Sequence, residues 1–259
     1  MPEPGAHWRG GLRLALTTFT VAPVGAAPVG RGAARVAIAF APVVGGALGA
    51  LLGGVALALR ALPAPTLVTG GVVVALGALL TRGLHLDGLA DTADGLGSYA
   101  GRERALEIMR RPDIGPFGVT AIVLTALLQA ASVAGLATRA GWPALLAGVV
   151  TATATGRLAV GLACRAGVPA ARRDGLGAVV AGTVDWPVLA LGTAGVGAVS
   201  LAAVPGRVWQ GPVAVGVALV CAFALERHAV RRLGGITGDV LGATLELAVT
   251  VTYLCLAFG

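Results

Sequence analysis

Lysine is absent from this chain: all 19 basic residues are arginine. Charge of any kind is scarce, at 12% of residues, about half the roughly 25% of an ordinary soluble domain. That shortage argues against a soluble globular enzyme. It equally excludes a disordered chain, which needs low hydrophobicity and high net charge. Aromatics make up only 4%. Cys164, Cys221 and Cys255 each lie inside an apolar run, with no second Cys or His at metal-ligand spacing. They read as small core or lipid-facing residues rather than disulfide or thiolate-metal partners. The 41 glycines follow no triplet period, which excludes collagen.

What is there is mostly Ala, Val, Leu and Gly, 56% hydrophobic with a mean hydropathy of +0.87. Such a composition over 259 residues describes an all-α, polytopic membrane helix bundle. Seven apolar stretches qualify as spans: Val36 to Leu59, Leu67 to Leu84, Phe117 to Leu136, Trp142 to Ala163, Trp186 to Val204, Val208 to Leu225, and Ile236 to Phe258. The fifth and sixth are the weakest, because Pro205-Gly206-Arg207 leaves them a very short hairpin. No repeat or linker divides the chain, so residues 1–259 read as one integral membrane domain with an acidic cytoplasmic segment at about 85–116. Near the N-terminus, Arg9 and Arg13 precede the apolar stretch Leu14 to Val24, and Ala26-Ala27 follow. Thr17, Thr18 and Thr20 interrupt that stretch and Glu3 precedes it, so a short interfacial or half-inserted helix is expected rather than a cleaved signal.

The net charge of +7 would suggest nucleic acid in a soluble protein. Here the arginines sit between apolar runs, so topology accounts for them and no nucleic-acid partner is expected. Arg82 and Arg157 fall within spans, and the other arginines sort by loop. Arg9, Arg13, Arg31, Arg35, Arg102, Arg104, Arg110, Arg111, Arg165, Arg172, Arg173, Arg227, Arg231 and Arg232 share one side, against Arg60, Arg139 and Arg207 on the other. The positive-inside rule puts the N-terminus and the arginine-rich loops in the cytoplasm.

Six of the twelve acidic residues fall between Asp87 and Asp113. Asp87, Asp91 and Asp94 are spaced i, i+4, i+7, which places them on one helix face. Carboxylates facing one way repel each other unless a cation lies among them. An all-oxygen set selects Mg²⁺ or Mn²⁺ over Zn²⁺, and Mg²⁺ keeps positions for phosphate oxygens. The segment therefore predicts Mg²⁺-assisted chemistry on a phosphate or diphosphate, with Asp87, Asp91 and Asp94 as metal ligands. His85 precedes them as a ligand, a base or an interfacial residue. From Arg102 an amphipathic helix is expected, ended by Pro112, with Glu107 paired to Arg110 and Arg111, or with Arg110 or Arg111 gripping phosphate. Arg157, inside a span, needs an acid or a phosphate. Asp239, Gly242 and Glu246 share a face at the start of the last span, and Glu246 has no basic neighbour in sequence. Arg172 and Arg173 lie in a basic loop suited to phosphate or anionic lipid.

At these residues a resemblance becomes specific. H-L-D-G-L-A-D-T-A-D-G-L from His85, R-A-L-E-I-M-R-R-P-D-I-G-P-F-G from Arg104, and G-G-I-T-G-D-V-L-G-A-T-L-E from Gly234 resemble the adenosylcobinamide-GDP ribazoletransferase (cobalamin synthase) family. F-T-V-A-P from Phe19, Gly156-Arg157 and R-D-G-L-G from Arg173 fit it in order and place. Asp113 sits where the pattern varies, and the tail after Glu246 carries little motif. The resemblance implies an Mg²⁺-dependent phosphotransferase of the cytoplasmic (inner) membrane, its active site facing the cytoplasm. A ribose hydroxyl of α-ribazole, or of its 5′-phosphate, attacks the phosphorus joining cobinamide to GMP in adenosylcobinamide-GDP. Adenosylcobalamin or its 5′-phosphate forms and GMP leaves. Asp87, Asp91 and Asp94 become candidates for metal binding, and one of them or Asp239 for proton transfer. Arg110, Arg157 and Arg172 become candidates for phosphate, and His85, Glu107 and Glu246 for support. A CDP-alcohol phosphatidyltransferase is the alternative. Its D-G-x-x-A-R pattern fails here, because Asp91 follows Asp87-Gly88-Leu89-Ala90. A transporter would spread its polar residues across mid-membrane helices instead. Glycine-rich spans would pack protomers as readily as helices of one chain, which leaves a homo-oligomer open.

Overall fold

The computed structural model describes residues 4–25 and 30–258; Glu3 and the Ala26-Ala27 pair fall outside them. Among the described residues eleven helices follow in order: α1 Pro4–Phe19, α2 Arg31–Ala61, α3 Thr66–Leu80, α4 Leu84–Gly97, α5 Arg102–Ile108, α6 Pro116–Arg139, α7 Trp142–Ala163, α8 Gly175–Val180, α9 Trp186–Ser200, α10 Gln210–Leu233 and α11 Gly238–Ala257. Among the described residues there is no β-strand, only two isolated bridges, Arg165 with Val184 and Ala170 with Ile236.

Five of these helices, α2, α6, α7, α10 and α11, are long and apolar enough to cross a membrane. The two further expected spans are shorter. Helices α3 and α9 have 15 residues each, about 22 Å at 1.5 Å per residue, against a hydrocarbon core of about 30 Å. The second expected span also ends early. Thr81, Arg82 and Gly83 break it, with Arg82 at φ 58° and Gly83 at φ 67°, and α4 departs from α3 at 91°. Arg82 is therefore an exposed residue at the break between α3 and α4, and the two helices together qualify as one bent span. Helix α1 packs along α2, burying Leu14, Ala15 and Phe19.

Helix α7 lies at the centre and is buried almost along its whole length. Helix α2 approaches it through Gly45, Gly49 and Gly53, one residue per turn on one face. A Cβ at Gly49 would stand 2.1 Å from the Thr153 hydroxyl, and one at Gly45 2.6 Å from the Thr153 carbonyl. Small residues at this spacing let backbones meet where lipid offers no hydrophobic drive. The arginine-poor end is closed by side chains on carbonyls: Arg60 to Ala140, Arg139 to Ala257, and Gln210 to Cys255 and Phe258. The opposite end gathers the starts of α2, α6, α9 and α11 with the ends of α7 and α10. There, arginines tie loops together: Arg31 donates to Ala178 and Ala181, Arg82 to Thr17, Arg102 to Ala171, Arg172 to Leu106 and Arg232 to Ala100. Arg165 and Glu226 form a largely buried ion pair at 2.7 Å beneath them.

Candidate active site

Helix α4 lies across the arginine-rich end, over the first turns of α6 and α11. Glycine sets this approach. A Cβ at Gly88 would stand 2.8 Å from the carbonyl oxygen of Asp239, and one at Gly242 3.0 Å from that of His85. The contact brings Asp87 and Asp91 of α4 to Asp239 of α11. Burial, then the negative charges of Asp239, Asp87 and Asp94, push Asp91 up to about 7, opposed by Arg172. Thr237 caps α11, accepting from the Val240 N–H at 3.2 Å while its hydroxyl donates to Asp239 at 3.1 Å.

Asp94 belongs to the same helix but is otherwise engaged. Its carboxylate accepts the Gly115 N–H at 2.7 Å and the Gly118 N–H at 2.9 Å. These are orphan donors of the first turn of α6, which no local side chain caps. A Cβ at Gly115 or Gly118 would stand 2.4 Å from an Asp94 oxygen. The i, i+4, i+7 face therefore divides: Asp87 and Asp91 meet Asp239, while Asp94 holds α6. Among the described residues no group of three or more His, Cys, Asp or Glu is gathered closely enough to hold a metal ion.

The arginines divide too. Arg172 lies beside the acidic group, Nη1 3.7 Å from Asp239 and Nη2 donating to the Leu106 carbonyl at 2.7 Å. Its buried Nε has no protein partner, and burial lowers its affinity for its proton. Arg110 is exposed and grips both oxygens of Asp174 at 2.9 Å. Glu107 is exposed and pairs with Arg104 at 2.6 Å, rather than with Arg110 or Arg111. That hydrogen bond and charge hold its carboxyl below the usual range. Arg157 is not brought to this place. It is buried in the bundle with Glu246, Gln129 and Tyr253 around a second cavity of about 50 Å³, which His85 also lines. Gln129 donates to Glu246 and to the Thr250 hydroxyl, each at 2.9 Å. Gln129 is a residue the sequence reading missed, although it is the lone amide of its apolar run.

A cavity of about 260 Å³ opens beside Asp87 and Asp239, lined also by Phe19, His85, Arg172, Leu176 and Leu241. His85 is buried, stacked on Phe19 with ring centroids 5.9 Å apart. Burial, then the nearby charge of Arg157, lower it to about 3. Asp174, which the sequence offered only as part of a basic loop, reaches this cavity beside the α8 turn.

Together these features define a multi-pass helical membrane protein with an acidic, arginine-flanked site at one end. The chain belongs to the cobalamin-5-phosphate synthase family, whose model matches residues 11–257. It is 44% identical over 262 residues to an adenosylcobinamide-GDP ribazoletransferase of Frankia casuarinae, covering 95% of this chain and 93% of the relative. One from Nocardioides sp. is 41% identical over 246 residues, covering 95% and 97%. An Escherichia coli relative of the same name is 40% identical over 217 residues, covering 83% and 85%. No solved structure matches the chain significantly. Membership of this family displaces the CDP-alcohol alternative.

Proposed function

We propose that this chain transfers the cobinamide-phosphate group of adenosylcobinamide-GDP to α-ribazole or its 5′-phosphate, releasing GMP. The observation that carries this reading is the match, over nearly the whole chain, to relatives bearing that activity's name. The site supplies the parts the reaction needs. As a ribose hydroxyl oxygen bonds to phosphorus, its proton passes to a carboxylate, for which Asp239 beside the cavity is placed. The P–O bond to GMP breaks and GMP departs with that electron pair. Arg172, its Nε unpartnered in the protein, donates to phosphate oxygens. Arg110 joins by exchanging Asp174 for phosphate.

The residues fit Mg²⁺ as part of a shared site. Mg²⁺ takes one or two protein carboxylates and fills its other positions with water and substrate phosphates. Asp87 and Asp91 are such a pair, and the like charges crowding Asp91 favour a cation there. When bound, Mg²⁺ supplies positive charge against the diphosphate and the leaving group. The arginine-rich end faces the cytoplasm of the inner membrane in this reading, with the N-terminus on that side.

The test is purified protein in lipid vesicles with adenosylcobinamide-GDP and α-ribazole, read as GMP release with cobalamin formation. Turnover is expected to vanish in EDTA and to fall at least ~100-fold in Asp91→Asn. Undiminished turnover in folded Asp91→Asn overturns the assigned site. No product with either ribazole form overturns the activity.

A further inference from the structure

The cavity at the acidic site has two unlike parts. Asp87 and Asp174 are exposed and mark its outer side, with Asp239 and Arg172 half-buried beside them. Phe19, Ile38 and Leu241 are buried and form its apolar depth. His85 is 5% exposed, and neither ring nitrogen has a hydrogen-bond partner. Buried polar atoms without partners are costly, and binding a ligand that supplies one offsets that cost. In either protonation state its imidazole offers at least one N–H donor. Its stacking on Phe19 holds the ring in place.

We propose that this cavity holds the base of the acceptor nucleoside, a flat and largely apolar heteroaromatic with one free ring nitrogen, against Phe19 and His85, with its ribose toward Asp87 and Asp239. This placement rests on the transferase reading above. Size separates the two substrates. A volume of about 260 Å³ lies near the lower end of small-molecule pockets and suits a nucleoside; a corrinoid ring is far too large and must approach from the open side. Chemistry separates the two nucleoside bases. The dimethylbenzimidazole of α-ribazole has two methyl groups and a single unsubstituted ring nitrogen, an acceptor for the His85 N–H. Guanine carries a lactam and an amino group along its edge. In the buried depth the Thr237 hydroxyl is already committed to Asp239 and Val240, so guanine would leave polar atoms unmatched. An apolar base deep in the cavity also leaves the reacting ribose on the side where the carboxylates and Arg172 lie.

The experiment is calorimetric titration of α-ribazole into the full-length protein in lipid nanodiscs, without adenosylcobinamide-GDP. It uses wild type, His85→Phe, which keeps a stacked ring but removes the N–H, and Leu176→Trp, which fills the cavity. Binding is expected in wild type, about tenfold weaker in His85→Phe, absent in Leu176→Trp, and unchanged by excess GMP. The KM for α-ribazole should rise in His85→Phe by the same factor, with the KM for adenosylcobinamide-GDP unmoved. Wild-type affinity in Leu176→Trp, or displacement of α-ribazole by GMP, overturns the placement. Binding is read without turnover, so the two readings fail separately. Normal turnover with unaltered binding in both variants counts against the placement alone. Binding as expected with no cobalamin formed counts against the transferase reading.

Discussion

Asp91 carries the clearest electrostatic consequence of any single residue. Its carboxyl sits at about 7 instead of 3.8, through burial and then through three neighbouring carboxylates. Between those values the folded chain binds more protons than the unfolded one. Without a divalent cation, stability at this position is therefore fullest below 3.8 and is lost as pH rises through about 7. Added Mg²⁺ opposes that loss only where the carboxylate is ionised. In thermal melts, Mg²⁺ is expected to raise the Tm of wild type at about pH 8 and to do little at about pH 5.5. Asp91→Asn should remove the difference between the two conditions. An equal Mg²⁺ effect in wild type and Asp91→Asn would show that the cation binds elsewhere. The acidic face was legible in the spacing of Asp87, Asp91 and Asp94. Its division was not, because the partners that claim Asp94 are backbone N–H groups of another helix, and Asp239 arrives from the far end of the chain.

Among the elements, α4 decides whether the site exists. It is held to α11 at Gly88 and Gly242 and to α6 through Asp94. Gly88→Ala would place a methyl 2.8 Å from the Asp239 carbonyl, and both partners there are backbone. Helices forced apart at such a contact lose about 1–3 kcal/mol. A displacement of about 1 Å at a reacting centre costs up to about 100-fold in rate. Gly88→Ala is thus expected to insert and fold with a Tm lowered by a few degrees, while turnover falls about 10- to 100-fold. Wild-type turnover at a lowered Tm would show that α4 tolerates the shift. Most helices were legible as apolar runs. The α3–α4 break was not, because hydropathy continues through it and only the backbone at Arg82 and Gly83 reveals the bend. Helix α5 likewise ends at Ile108, before Pro112 could stop it. Arg157 and Glu246 were legible as buried charges, but only packing shows that they line a second cavity, behind His85.

For the whole molecule, the arginine count and the structure agree on which residues share an end, and the proposed orientation follows from that count. In a background with Cys164, Cys221 and Cys255 replaced by alanine, a membrane-impermeant maleimide applied to intact cells is expected to label Arg207→Cys. Arg104→Cys should be labelled only after the membrane is opened. The reverse pattern would invert the orientation and place the site outside. In the proposed orientation, the arginines that bias insertion are in several cases the ones whose guanidinium groups fasten one segment to another, as Arg31, Arg102, Arg172 and Arg232 do. A guanidinium offers five donors in a planar fork, where an ammonium offers a compact point charge. Exchanging these residues for lysine would keep the topogenic signal and loosen the knots. Orientation during synthesis and closure of the finished site thus draw on one set of side chains, and an all-arginine complement lets the same residue serve first as a signpost and then as a clasp.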